Sequence, residues 1–189
     1  RESVNNYIRA IFYLDGGWMS GLSELRKFAK ILFGDTKTIE SSPDLADLGP
    51  EPFDKNLNFE KFAGLIKKGK RKIKQVLLDQ SVVVGIGNIY SDEILWTAKV
   101  HPFKPANKLK PAELKLIWHA MHKILKKAVK LRGTSTSDFR DTAGKPGAYT
   151  EARLVYQREG KPCPRCKTPI IRKKMGVRSA HFCPRCQGL

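Results

Sequence analysis

The first part of the chain alternates hydrophobic and polar residues in the manner of a β-strand. The alternation covers residues 7–14, and Asp15-Gly16-Gly17 follows as a turn before Trp18. Period-two alternation ending at a glycine-rich turn predicts a β-hairpin. A lone hairpin is marginal in water, so we expect it to be the end of a larger sheet whose other strands precede Arg1. The residues on its apolar face are Ile8, Ala10, Phe12 and Leu14.

Beyond the hairpin, residues 34–57 are rich in Asp, Pro, Ser and Gly, which predicts a connector and a domain boundary near residue 50. From Asn58 onward the apolar residues recur at spacings of three and four, which predicts α-helices. One helix is expected to begin near Asn58, a second to cover 89–100, and a third to run from Pro111 to about residue 131. Strands followed by helices predict an α+β fold.

The end of the chain carries two Cys-x-x-Cys pairs, Cys163-Pro-Arg-Cys166 and Cys183-Pro-Arg-Cys186, which contain all four cysteines. The residues between the pairs have the length of a β-hairpin, and two such turns supply the tetrahedral sulfur shell that zinc prefers. We therefore predict one structural Zn²⁺ with no open position for metal-assisted hydrolysis. Two alternatives remain: a pair of disulfides, and a site in which His181 replaces Cys183. The predicted ligands are Cys163, Cys166, Cys183 and Cys186.

The charge of the chain indicates that this metal-binding protein also has a polyanionic partner. Lys and Arg number 36 against 18 acidic residues, a formal charge of +18. This excess favours nucleic acid as the partner and an anionic membrane surface as the second choice. No apolar run approaches the length of a membrane span, no secretory signal opens the chain, and metal-ligand cysteines fit a reducing compartment. We therefore expect a cytoplasmic protein.

Three stretches offer groups for phosphate. The run 67–74 holds six basic residues in eight positions, which favours phosphate contact over the alternative of a solvated helix face. Arg178 is expected at the rigid tip of the hairpin between the cysteine pairs, where it can enter a DNA groove. The third stretch, 85–90, contains Gly87 and Asn88. The candidate contacts in the basic run are Lys68, Lys70, Arg71 and Lys74.

The stretch Gly85-Ile-Gly-Asn-Ile-Tyr90 is expected to open a helix with Asn88 as its N-cap, leaving amide groups available to an anion. Asp92 and Glu93 would oppose a phosphate in the first turn of that helix, so we expect them to point inward or to pair with lysines. A dinucleotide-binding fingerprint is the alternative. It is disfavoured because Tyr90 stands in place of its third glycine.

Together these motifs resemble the formamidopyrimidine-DNA glycosylase and endonuclease VIII family of base-excision repair enzymes. Residues 77–80, 85–93 and His101-Pro102 are similar to its helix-two-turns-helix signature, 155–187 to its zinc finger, and 48–52 to its interdomain segment. The resemblance implies four parts: the end of an N-terminal β-sandwich and a connector at 1–50, a helix-two-turns-helix domain at 51–135, a lesion-capping loop at 136–150 and a four-cysteine zinc finger at 151–189.

The resemblance also implies roles for individual residues. Asn88 and Arg178 would grip the phosphates that flank an everted nucleotide, while Arg26 and Phe28 would fill the gap that it leaves in the duplex. The alternative for Phe28 is an ordinary buried strand residue. Lys145 and Tyr149 lie in the segment that resembles the lesion-capping loop. The length of this segment favours the formamidopyrimidine branch, which removes oxidised purines such as 8-oxoguanine, over the endonuclease VIII branch, which prefers oxidised pyrimidines.

The family's catalytic proline and glutamate are absent from this sequence. The resemblance places both upstream of Arg1 and implies glycosylase and abasic-site lyase activity for the intact protein, so we expect the chain as printed to be inactive alone. Its expected partner is duplex DNA with a damaged base or an abasic site, bound by a monomer. Two further hypotheses are a non-catalytic zinc-finger DNA-binding protein and a generic zinc-ribbon protein of transcription or translation.

Overall fold

The computed structural model describes residues 6–135 and 145–189. The chain divides into two compact units, Arg1–Ala46 and Asp47–Leu189. The described part of the first contains a β-hairpin, and that of the second contains four α-helices and another hairpin, so the predicted α+β class is confirmed. Within the described residues no helix is both long and apolar enough to span a bilayer.

The first unit is built on the predicted hairpin. Strand β1 (Ile8–Tyr13) pairs antiparallel with β2 (Met19–Ser23). A turn of 3-10 helix at Asp15–Gly17 joins the strands, and both of its glycines have positive φ angles, which explains the glycine-rich sequence. The described part of this sheet has two strands, and large side chains such as Trp18 remain exposed on it.

A short helix in this unit was not predicted. Helix α1 (Thr36–Glu40) lies inside the stretch that the composition assigned to a connector. The side chain of Asp35 caps it by accepting a hydrogen bond from the Thr38 amide at 3.0 Å. Five residues without a buried side chain leave no hydrophobic period to detect, so only the cap residue pointed to a helix.

The second unit surrounds one large hydrophobic core with the four described helices. These are α2 (Phe59–Lys67), α3 (Ile73–Leu77), α4 (Asn88–Thr97) and α5 (Pro111–Lys130), and α2, α4 and α5 confirm the three predicted helices. The side chain of Asn58 caps α2. The core is made of aliphatic and aromatic side chains that include Phe62, Ile66, Ile73, Leu77, Ile94, Leu95, Ile117 and Met121.

Helix α4 lies at the centre of this unit. It contacts α5, α3 and the last strand of the chain, and Ser91 through Trp96 are all buried. A helix that is buried on every side has no solvent face for its polar residues. Its two acidic residues, Asp92 and Glu93, must therefore find partners inside the protein.

The last part of the chain folds onto α4. Strand β3 (Ile171–Met175) pairs antiparallel with β4 (Arg178–Phe182), and Met175 lies opposite Arg178 next to the turn. The zinc module, residues 151–189, contains this hairpin and the four cysteines. A small apolar cluster joins it to the helices; the members of the cluster are Trp96, Val155, Cys163, Ile170 and Cys183. The predicted zinc finger and helical domain therefore pack together within one compact unit.

Residues 136–144 of the predicted lesion-capping loop, 136–150, lie outside the described residues, but the stretches on either side of them are described. Thr134 and Ala148 form an antiparallel bridge, and the Tyr149 amide donates to the Gly133 carbonyl at 3.0 Å. A Cβ at Gly147 would collide with the carbonyl oxygen of Gly133, so only glycine allows this approach. The two ends of the loop are thus fastened together beside α5.

Candidate nucleic-acid interface

The glycine-rich turn before α4 is held by the side chain of Gln80, which the sequence analysis placed in the helix-two-turns-helix signature without giving it a role. Gln80 accepts a hydrogen bond from the Gly85 amide at 2.8 Å and donates one to the Ile86 carbonyl at 3.1 Å. Gly85 has a φ of 85°, in the left-handed region that favours glycine. The interdomain segment supports the same turn, because the Gly49 amide donates to the Gln80 carbonyl at 2.8 Å.

Helix α4 begins at Asn88, and its N-cap is Gly87 in an extended conformation. The prediction that Asn88 caps the helix is therefore wrong, because Asn88 is already helical and its Nδ2 lies 3.5 Å from the Tyr156 hydroxyl. None of the described side chains caps this first turn, and nothing lies within 4 Å of where a Cβ of Gly87 would stand. The first turn of α4 thus has no side-chain cap and has open space at Gly87, an arrangement suited to an anion.

The tip of the second hairpin presents Arg178 to solvent. Arg178 is exposed and begins β4, directly after a turn in which Gly176 has a φ of 61°. Below the tip, Met175 and Phe182 are buried and pack with Phe103. The arginine therefore extends from an anchored hairpin, as the sequence predicted for a residue that enters a groove.

The basic run does not lie on one helix face. Helix α2 ends at Lys67 and α3 begins at Ile73, so most of the run forms the connection between them. Lys68, Lys70 and Arg71 are exposed there, and Arg71 also pairs with the Asp79 carboxylate at 2.7 Å. These three side chains are available to phosphate and remain predicted contacts.

Lys74 differs from the rest of the run, and its predicted contact with DNA is wrong. Its side chain is completely buried, and its ammonium donates to Asp92 Oδ1 at 2.5 Å and to the Ser179 carbonyl at 2.7 Å. Burial lowers the pKa of Lys74, while the Asp92 carboxylate raises it. A buried ammonium with these partners cannot reach a phosphate at the surface. The expectation that Asp92 points inward and pairs with a lysine is confirmed.

Glu93 also points inward, as predicted, but it pairs with backbone rather than with lysine. Its carboxylate accepts hydrogen bonds from the amides of Leu154 at 2.8 Å, Val155 at 2.9 Å and Tyr156 at 3.0 Å. Burial raises the pKa of Glu93, and the three amides oppose that shift. This carboxylate fastens the entry to the zinc finger onto α4. It also fixes Tyr156, which the sequence did not single out, beside Asn88.

Arg26 and Phe28 occupy an ordered loop of the first unit. The Glu24 carboxylate accepts hydrogen bonds from the amides of Arg26 at 2.8 Å and Phe28 at 2.6 Å. Desolvation opposes the shift, but these amides hold the pKa of Glu24 below its usual value. Phe28 is 79% exposed, so the alternative of a buried strand residue is wrong. An exposed aromatic ring on an ordered loop suits insertion into a duplex, and both residues remain predicted contacts.

The two loop residues Lys145 and Tyr149 have different environments. Lys145 is exposed. Tyr149 is fully buried, and its ring packs edge-on against Tyr90 with 5.3 Å between the ring centres. The predicted contact between the Tyr149 side chain and DNA is therefore wrong, since the ring belongs to the core and fastens the end of the loop.

The four cysteines converge on one point, with their sulfur atoms all within 4.8 Å of one another. The Sγ–Sγ distance is 4.0 Å for Cys163 and Cys186 and 3.4 Å for Cys166 and Cys183. Sulfurs bound tetrahedrally to zinc at about 2.3 Å lie about 3.8 Å apart, whereas a disulfide needs about 2.05 Å. Four thiolates fit one structural zinc ion, and the disulfide alternative is wrong.

The residues around the cysteines exclude His181 as a metal ligand and add a hydrogen bond to one of the sulfur atoms. The His181 ring is not a ligand, because its Nδ1 lies 3.0 Å from Asp92 Oδ2. Trp96 of α4 donates its indole N–H to Cys163 Sγ at 3.4 Å, and the Arg165 guanidinium lies 4.0 Å from the centre of the Trp96 ring. Trp96 was not identified from the sequence, since it lies 67 positions from Cys163 with no spacing that relates them.

Comparison with known proteins identifies both parts of the second unit. Residues 48–140 match the family description "Formamidopyrimidine-DNA glycosylase H2TH domain", and residues 160–188 match "Zinc finger found in FPG and IleRS". A formamidopyrimidine-DNA glycosylase of Ligilactobacillus salivarius is 39% identical over 186 residues, which cover 98% of this chain and 67% of that protein. The chain thus spans about two thirds of the length of the curated relatives that it matches.

Solved structures agree with these matches. The crystal structure of the MutM (Fpg) protein of Thermus thermophilus superimposes with a TM-score of 0.88 at 37% identity, covering 100% of this chain and 71% of that one. Lactococcus lactis Fpg in complex with DNA containing an abasic site gives a TM-score of 0.70 at 38% identity over 76% of this chain and 52% of that one.

Proposed function

Because the chain belongs to the formamidopyrimidine-DNA glycosylase family, we propose that it forms the DNA-gripping part of an enzyme that excises oxidised purines from DNA. In the intact protein this part would serve both base excision and cleavage at the resulting abasic site. We propose that it acts as a monomer on chromosomal DNA in the bacterial cytoplasm.

The strongest support for the gripping role is that helix α4 is connected to both candidate phosphate contacts, Asn88 and Arg178. Helix α4 carries Asn88 at its open N-terminus. The body of the same helix holds the zinc module through Asp92 and Glu93, and that module presents Arg178. Two donors fixed to one rigid element can hold two phosphates at a constant separation.

Such a grip has a chemical purpose in base excision. An enzyme reaches the glycosidic bond only after the nucleotide leaves the stack, which costs a few kcal/mol. We propose that Asn88 and Arg178 hold the phosphates on either side of the everted nucleotide. Phe28 and Arg26 would then occupy the vacated space. The exposed cations Lys68, Lys70, Arg71 and Lys145 would add affinity that does not depend on sequence.

The purine preference rests on the relatives. Lactococcus lactis Fpg was solved with DNA containing Fapy-dG, an opened purine. The same protein was also solved with DNA containing an oxidised pyrimidine, so the lesion range that we propose has oxidised purines as its main class and does not exclude pyrimidines.

A binding competition tests the gripping role in the chain itself. The fluorescence anisotropy of a labelled duplex with a tetrahydrofuran abasic-site analogue would be measured while unlabelled abasic or intact duplex of the same sequence competes. We expect the abasic duplex to compete several-fold better, and we expect the affinity to fall steeply with salt because several phosphates are contacted. Equal competition by both duplexes would contradict the proposal and favour a generic zinc-ribbon protein.

A further inference from the structure

Lys74 is the one lysine of the basic run that lies wholly inside the protein. Its side chain and that of Asp92 are both 0% exposed, and the ammonium lies 2.5 Å from Asp92 Oδ1. Removing two charges from water is costly, and hydrophobic residues of similar volume often serve stability equally well. A fully buried ion pair therefore calls for a role other than stability.

The pair makes its remaining contacts with strand β4. The Lys74 ammonium donates to the Ser179 carbonyl at 2.7 Å. Asp92 Oδ2 accepts the His181 amide at 2.9 Å and lies 3.0 Å from His181 Nδ1. Between these two contacts lies Ala180, which is completely buried. The ion pair thus binds two backbone groups of β4, the Ser179 carbonyl and the His181 amide. Ser179 is the residue next to Arg178.

The charges of the two basic residues also interact. Burial is the main cause that lowers the pKa of Lys74, Asp92 opposes it, and the positive charge of Arg178 lowers it further. Arg178 is thus coupled to the buried pair electrostatically as well as through the backbone of Ser179.

We propose that Lys74 and Asp92 are positioning residues for Arg178, fixing the start of β4 so that the guanidinium meets its phosphate in a single orientation. This inference rests on the proposed function, because it concerns the same phosphate contact. Lys74 does not touch DNA. It acts through its hydrogen bond to the Ser179 carbonyl, and Ser179 is the residue next to Arg178.

Other contacts already keep the hairpin folded. The four cysteines close its base, and Met175 and Phe182 anchor it against Phe103. The ion pair is therefore expected to set the direction of the tip rather than to hold the module together. If the ion pair is purely structural, its removal should weaken DNA binding equally with and without Arg178. If the pair positions Arg178, its removal should weaken binding only when Arg178 is present.

A double-mutant cycle separates the two roles. The first variant, called the neutral pair, combines Lys74→Met with Asp92→Asn. It removes both charges, keeps the side-chain volumes similar and leaves an amide oxygen to accept from the His181 amide. Dissociation constants for the abasic duplex would be measured for the unaltered chain, the neutral pair, Arg178→Ala and the combination. We expect the neutral pair to weaken binding about fivefold when Arg178 is present and to have no effect when it is absent, because coupled residues are not additive.

Lys70→Met serves as the matched control, because it also removes a lysine from the same run but from an exposed position. Its loss of affinity should be the same with and without Arg178. Zinc content and thermal melting would confirm that each variant is folded. Lys74→Gln with Asp92→Asn would replace the first pair if that pair did not fold.

The outcomes are distinct. An equal loss with and without Arg178, or no loss at all, would overturn the positioning role, and so would failure of both neutral pairs to fold, which would make the ion pair a stability element. If the unaltered chain does not prefer the abasic duplex, the proposed function itself fails. If that preference holds while the cycle is additive, only the positioning role fails.

Discussion

At the residue scale, Trp96 supports the zinc site from outside the zinc finger. It lies on α4, and its indole N–H points at Cys163 Sγ at 3.4 Å. Groups that hydrogen-bond to a metal ligand orient that ligand and raise the affinity for the metal. The Arg165 guanidinium covers the indole ring at 4.0 Å, which fixes the ring in this position. The zinc site is thus completed by a helix that lies far away in sequence.

Trp96→Phe should speed the loss of zinc, because phenylalanine keeps an aromatic ring but has no N–H for the sulfur. Loss of such an outer contact weakens metal binding by roughly tenfold or more. Zinc release to a chromophoric chelator would be followed over time. The matched control is Trp118→Phe, since Trp118 packs against Phe62 in the helical core. Equal release rates for both variants would show that the N–H has no influence on the metal.

Single residues also mark the limit of what the sequence can predict. The cysteine ligands were predictable because zinc imposes a local spacing on them. Lys74 and Lys70 are equivalent by composition, yet one is buried and the other exposed. Their difference depends on Asp92, which is 18 positions away from Lys74. No local pattern encodes such a partner.

At the scale of elements, the two glycines that precede α4 have different backbone conformations. Gly85 needs its positive φ angle, whereas Gly87 has an ordinary extended conformation. The two glycines therefore serve different purposes. The first allows the turn to form, and the second leaves space in front of the helix.

Substitutions at these glycines should separate folding from binding. Gly85→Ala should destabilise the protein by about 1 kcal/mol or more, because a Cβ is strained at that φ angle. Gly87→Ser should leave stability nearly unchanged, because serine is a good N-cap, but its side chain would stand where the phosphate approaches and weaken DNA binding. Thermal melting and anisotropy would measure the two effects. If Gly87→Ser bound DNA as well as the unaltered chain, the phosphate could not lie at this helix end.

Elements with a clear hydrophobic period were predictable, and the others were not. Helices α2, α4 and α5 and the first hairpin follow their apolar spacing, whereas the second hairpin was predicted from the number of residues between the cysteine pairs. Helix α1 has no buried residue and therefore offered no such pattern. The basic run was placed correctly between apolar segments. The sequence did not show that the run begins at the end of α2, continues through the connection between the helices and ends in α3, because these boundaries depend on packing.

At the scale of the whole molecule, composition and spacing predicted the class of partner and the metal. They did not predict that the zinc module and the helices pack as one unit. That packing depends on Asp92 and Glu93, two carboxylates buried under backbone amides of the module. The inward direction of both carboxylates was predicted, but their backbone partners lie 61 and 89 positions further along the chain, where no local pattern relates them.

The two-sided phosphate grip is the central claim, and neutral phosphates test it most directly. Abasic-site duplexes would carry a single methylphosphonate in place of one phosphate at each position in turn, and the affinity of the chain would be measured for each duplex. We predict that affinity falls most at the phosphates flanking the abasic site, and that Asn88→Ala and Arg178→Ala each abolish the sensitivity at a different one of them. A uniform loss along the strand, unchanged by either substitution, would contradict the grip.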